Sequence, residues 1–203
     1  MDSTDESKPR KEERTREELA GAFPLAIRQD ALAVTSSLSE NRFSSRWRPF
    51  SLHLGDEILA LPQRIYYDPP RFQTLRFNAL QREILNCLFT RHHDGFVRQK
   101  HLVRIIRSPN PWIPCFVIPL IGEYVVQILE IIRENLGYLD KSIYAGFVHT
   151  NPDFISLTEK RVISYWNCYY RSQEARLPRF LDSRPLEVAY NNSRPQLTPR
   201  YRK

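Results

Sequence analysis

At 203 residues, 41% hydrophobic and 12% aromatic, the chain is long enough for one packed domain and too short for several. Six glycines against fifteen prolines argue against an all-β barrel or sandwich and for short helices joined by rigid connections. A net charge of +7 keeps a polyanionic partner in view, and no apolar run approaches the roughly 20 residues that a membrane span requires.

Residues 1–20 mix both charges and hold few apolar side chains, so a disordered arm is expected there. A single helical domain is expected over 21–175, followed by a basic, proline-rich tail over 176–203. Acidic residues lead in the arm and basic ones lead from Arg171 onward, so much of the excess charge belongs to the tail. From Pro24 to Leu38 a modest amphipathic pattern predicts a docking helix. Arg42 to Phe50 alternates arginine with Phe43, Trp47 and Phe50. Its rings are expected to dock on the helical core while the arginines face water, the other use of such interleaving being single-stranded nucleic acid. Two short apolar runs around Gly55-Asp56-Glu57 predict a β-hairpin within 51–67, with those three residues as its loop and Pro62 at its end.

The centre of the chain carries the strongest periodicity. Phe77, Leu80, Ile84, Leu85 and Leu88 predict a helix from Leu75 to Arg91, broken at His92-His93-Asp94-Gly95. A second helix is expected from Phe96 to Arg107, with Val97, Leu102, Ile105 and Ile106 inward and Lys100, Arg104 and Arg107 on the opposite face. Ser108-Pro109-Asn110-Pro111 stops it. Trp112 to Ile121 is apolar all round and predicts the most buried helix, with Pro114 in its first turn and Pro119 as a kink. A fourth helix carries Val125, Ile128, Leu129, Ile132 and Leu136 and closes at Gly137 as a C-cap. A short helix is expected over Lys141 to Val148, and Ser156 with Glu159 forms a capping box for a last helix over 157–171.

Two blocks echo one another: Asp94-Gly95-Phe96-Val97-Arg98 and Gly122-Glu123-Tyr124-Val125-Val126. With the prolines of the intervening helix they resemble HEAT-type helical repeats. The resemblance covers a core of about 75–137 and implies stacked helical hairpins with a turn acid and an arginine early in the second helix. Asp94 matches the acid, Arg98 the arginine and Pro114 or Pro119 the first-helix proline. Glu123 stands at the second unit's acid, while Val126 or Leu129 replaces its arginine. Two units fall short of the three or more that a solenoid needs, so flanking helices act as caps or the array continues in another molecule. The family is a binding scaffold with no shared catalytic residues.

Candidate chemistry is sparse. Histidine and aspartate suit zinc or iron, which makes His92, His93, Asp94 and His101 the nearest approach to a metal site. Against it, His92 and His93 suit a helix C-terminus and Asp94 an N-cap. Cys87, Cys115 and Cys168 lie in apolar runs with no C-x-x-C pair, which predicts inert thiols and a cytoplasmic setting. No G-x-S-x-G, P-loop or G-x-G-x-x-G occurs. The expected fold is mostly α, a short HEAT-like stack with one small β-hairpin and disordered termini. The expected role is a non-catalytic protein-interaction module or scaffold without a cofactor, and off the membrane. Its partner is another protein or a second copy of itself, met through Tyr165, Trp166, Tyr169, Tyr170 and Arg171 with Arg46, Trp47 and Arg48. The alternative is a nucleic-acid-binding accessory protein using Arg46, Arg48, Lys100, Arg104 and Arg107, and a metal-dependent enzyme at the His92–Asp94 turn comes third.

Overall fold

A computed structural model describes residues 15–38, 49–69, 76–123 and 125–169, apart from the side chains of Trp166, Asn167 and Tyr169. It is mostly helical, with one two-stranded antiparallel hairpin. Residues 15–20, inside the segment expected as a disordered arm, form helix α1 and bury Leu19 and Ala20. Residues 1–14 of that arm and the tail beyond 169 lie outside the described residues. After α1, Phe23 is fully buried and stacks on Phe116 with ring centroids 5.0 Å apart. A 3₁₀ turn at Leu25–Ile27 then leads into α2, Arg28–Ser36.

Strands β1 (Pro49–Leu54) and β2 (Glu57–Pro62) pair over their whole length, with a proline at the outer end of each. Leu54 faces Glu57, so the expected three-residue loop is a two-residue turn of Gly55 and Asp56. Among the described residues only Gly55 takes a positive φ, 57°, which glycine adopts without the Cβ clash of other residues. Leu52, Leu59 and Leu61 point into the core. A lone hairpin exposes two edges and is marginal in water. Here both edges are engaged: Ala60 N–H donates to the Gly21 carbonyl at 3.1 Å, and the Asn151 side chain brackets His53. Asn151 Oδ1 accepts from His53 N–H at 2.7 Å while its Nδ2 donates to the His53 carbonyl at 2.9 Å. One amide thereby imitates a third strand.

Helices α3 (Ala79–Phe89) and α4 (Gly95–Ile105) form the first central hairpin, and α5 (Ile113–Ile121) and α6 (Val126–Asn135) the second. Asn78 caps α3 through a box with Gln81, and Asp94 caps α4 by accepting from Phe96 N–H at 2.8 Å. The α3 helix starts later than the expected Leu75, because the Asn78 side chain accepts from Gln81 N–H, one of the first free N–H groups. All nine α5 residues are buried, and the helix touches α3, α6, α7 (Lys141–Thr150) and α8 (Pro152–Tyr169). An all-apolar surface permits nothing else. Two expected boundaries are corrected. Gly137 lies inside a 3₁₀ turn, Leu136–Tyr138, without the positive φ of a C-cap glycine. The Ser156 capping box is interior to α8, which begins at Pro152 because proline at the first position forfeits no helical hydrogen bond. Among the described residues, no helix is long and apolar enough to cross a membrane.

Candidate functional site

Where the two central hairpins meet β2, one carboxylate holds three guanidinium groups. Glu123 sits in the turn after α5 and is buried. Its Oε1 lies 3.0 Å from Arg64 and 3.3 Å from Arg91, and its Oε2 lies 2.8 Å from Arg98 Nε. Arg98 also donates to the carbonyls of His92 and His93, both at 2.8 Å. Arg91 donates to those of Pro62 and Gln63 and stands over the Phe50 ring at 5.5 Å. Burial pushes the Arg91 guanidinium down to about 10, with Arg64 and Arg98 acting the same way and Glu123 opposing them. Arg98 therefore spans the hairpins, from the second helix of one to the turn of the other. Asp94, matched to the turn acid of the repeat, serves as the N-cap of α4. Sequence reasoning missed Arg91 and Arg64. The available signal was Arg98 itself, a charge on the same helical face as Leu102 and Ile105.

Of the four residues of the metal candidate only His92 and His93 adjoin, with ring centroids 4.3 Å apart, and their neighbours engage the rings elsewhere. His92 sits in a parallel bridge with Ile65, accepts from Asp94 N–H at Nδ1 and donates from Nε2 to the Tyr67 carbonyl. His93 turns outward and stacks on Tyr66 at 4.8 Å. His101 stacks on Phe89 and donates from Nδ1 to Asn86 Oδ1 at 2.7 Å, while Asp94 is committed to its helix. Among the described residues, no group of three or more His, Cys, Asp or Glu side chains is placed to hold a metal ion. Burial pushes the His101 imidazole down to about 4, helped by Arg104 and Lys100, and lowers His92 below its ordinary value.

That depression has a sign. The native state refuses protons that the unfolded chain takes up below about pH 6.5, the ordinary histidine value. The histidine contribution is therefore complete above about 6.5 and is lost as the pH falls toward about 4, where native His101 titrates. A lower urea midpoint at about pH 5 than at about pH 7.5 is expected, and His101→Gln narrows the gap; an equal gap in the variant contradicts this origin.

The thiols differ in setting. Burial raises Cys87 well above the ordinary thiol value and Cys115 to about 12, which leaves both protonated and unreactive at neutral pH. Cys168, expected to be buried, is exposed, because the second half of α8 runs past the core.

The residues expected to meet a partner fall largely outside the described set. Arg46, Trp47, Arg48, Tyr170 and Arg171 lie outside it, as do the side chains of Trp166 and Tyr169; Tyr165 is half-buried. The alternative trio is fully placed. Lys100, Arg104 and Arg107 are exposed along one side of α4 and the turn after it. Between them stand Phe96, 78% exposed, and Val103, 58% exposed, neither of which was singled out from the sequence. Arg104 donates to Asn86, and Arg107 donates to Asn135 and covers the exposed Tyr138 ring at 4.1 Å. Helix α8 adds Leu157 and Ile163, also exposed.

The fold and these surfaces define a small, mostly helical protein whose buried charges are spent on its own structure. No protein-family model matches the chain, and neither a curated protein nor a solved structure does.

Proposed function

We propose that this protein is a non-catalytic interaction module, a small scaffold with a HEAT-like centre that acts in the cytoplasm. The observation that carries the reading is the division of its side chains. The buried Arg91, Arg98, His92, His101 and Glu123 are bound by internal partners, whereas large apolar residues face water on α4 and α8. Exposed apolar side chains grouped on helices are what docking surfaces use. The HEAT-like reading is supported by the packing of α3 on α5 and α4 on α6, with Arg98 and Glu123 tying one hairpin to the next. The cytoplasmic reading is supported by three free cysteines.

The test is native co-purification of the full chain after cross-linking. Ile163→Asp, at a 54% exposed position, should reduce recovery of the protein partner while leaving the melting midpoint unchanged. A chain that always migrates as a free monomer in extracts of its own cells overturns the reading. The exposed Lys100, Arg104 and Arg107 favour a second reading, an RNA- or DNA-binding accessory protein, whose binding falls steeply with rising salt.

A further inference from the structure

We propose that the outward face of α4 is a docking site for an acidic amphipathic helix of a partner protein. This rests on the interaction-module reading and names the surface and the chemistry of its occupant. At about 100° per residue, Phe96, Lys100, Val103, Arg104 and Arg107 fall within an arc of about 100°, opposite the buried Arg98, His101, Leu102 and Ile105. Phe96 and Val103 stand two turns apart, about 10.5 Å along the axis, the interval at which one helix presents apolar anchors to another. Helix α4 contains no acidic residue. Among the described residues, Lys100, Arg104 and Arg107 form no ion pair, although the buried Glu123 collects three.

A stripe with two bare apolar residues and three cations that meet no carboxylate among the described residues is complementary to a helix with apolar residues two turns apart and glutamate or aspartate beside them. Rim cations of this kind set orientation and encounter rate, and the apolar anchors supply most of the affinity. The chain's own segment from Arg171 onward is basic and has the wrong sign to fill the site. A nucleic-acid strand fits less well. Base stacking needs successive aromatic platforms, and on this stripe Arg107 already covers Tyr138, which leaves Phe96 alone.

The probe is a synthetic helix of about 21 residues with leucine at every third or fourth position and glutamate between, titrated against the full chain by fluorescence anisotropy. Its comparisons are a scrambled peptide of the same composition and a single-stranded oligouridine. The expected result is selective binding of the helix, weakened about thirtyfold by Phe96→Ala and abolished by joint reversal of Lys100, Arg104 and Arg107 to glutamate. Ile58→Thr on β2, at a 63% exposed position away from α4, should bind as the unaltered chain does. Phe96 is exposed, so its truncation leaves the fold intact, and an unchanged far-ultraviolet melt verifies it. Equal binding of the scrambled peptide, tighter binding of oligouridine, or indifference to Phe96→Ala overturns the proposal. So does a change in self-association alone, read by sedimentation, which would assign the face to a second copy. A native partner whose capture ignores the α4 substitutions sinks the α4 assignment and leaves the module standing. The absence of any protein partner sinks both.

Discussion

Replacing Glu123 by alanine should lower the stability of the fold by about 3–5 kcal/mol, because it strands Arg91 and Arg98 in the interior without a counter-charge. For a chain of this size that is a drop of roughly 6–20 °C in melting midpoint. The asymmetry is physical. Forming a buried ion pair gives little net stability, since desolvation offsets the attraction, but removing one partner leaves the whole desolvation cost of the other. Backbone carbonyls of Pro62, Gln63, His92 and His93 take part of the positive charge, yet none of them is ionised. Arg64→Ala is the internal comparison. Its side chain is 32% exposed, and its loss should cost less than about 1 kcal/mol. Urea unfolding with unchanged slope measures both. A Glu123→Ala protein within about 1 kcal/mol of the original would show that the carboxylate does not neutralise this cluster.

Phe23→Ala should cost about 3–5 kcal/mol, as for other wholly buried aromatic residues. Its ring lies on Phe116 in the all-apolar α5, so the segment after α1 closes one side of the core. The double variant with Phe116→Ala should reveal a coupling of about 0.5–1.5 kcal/mol between the rings. A loss below about 1.5 kcal/mol for Phe23→Ala would mean that this segment is peripheral, with the cavity closing over at little cost.

Most of the helices and the hairpin were legible in the chain, because periodicity, caps and turns act over a few residues. Leu80, Ile84, Leu85 and Leu88 mark a helical stripe wherever they are placed, Asp94 caps from two residues away, and Pro62 ends a strand by lacking an N–H. Boundaries slipped where two local signals competed. Pro152 outranked Ser156 as the start of α8, and Asn78 began α3 past the expected Leu75. The candidate sites were less legible. Lys100, Arg104 and Arg107 were placed on the correct face, and Arg98 was singled out as structural, but the histidines read as a metal candidate are spent otherwise: both His92 nitrogens bond to backbone groups, and Asn86 holds His101.

By itself the sequence determined a mostly helical chain with one hairpin, an all-apolar central helix and a cationic outer stripe on α4. Only the tertiary structure decided which charges go inside, which strand edges are covered and which rings are left in water. Asn151 closes the hairpin from 98 residues away, and Glu123 meets an arginine from β2's end and one from each helix side of the first central hairpin. Such pairings follow from how whole elements pack, since burial and counter-charge belong to a residue's neighbours in space, and the local pattern around any one of them carries no record of those neighbours.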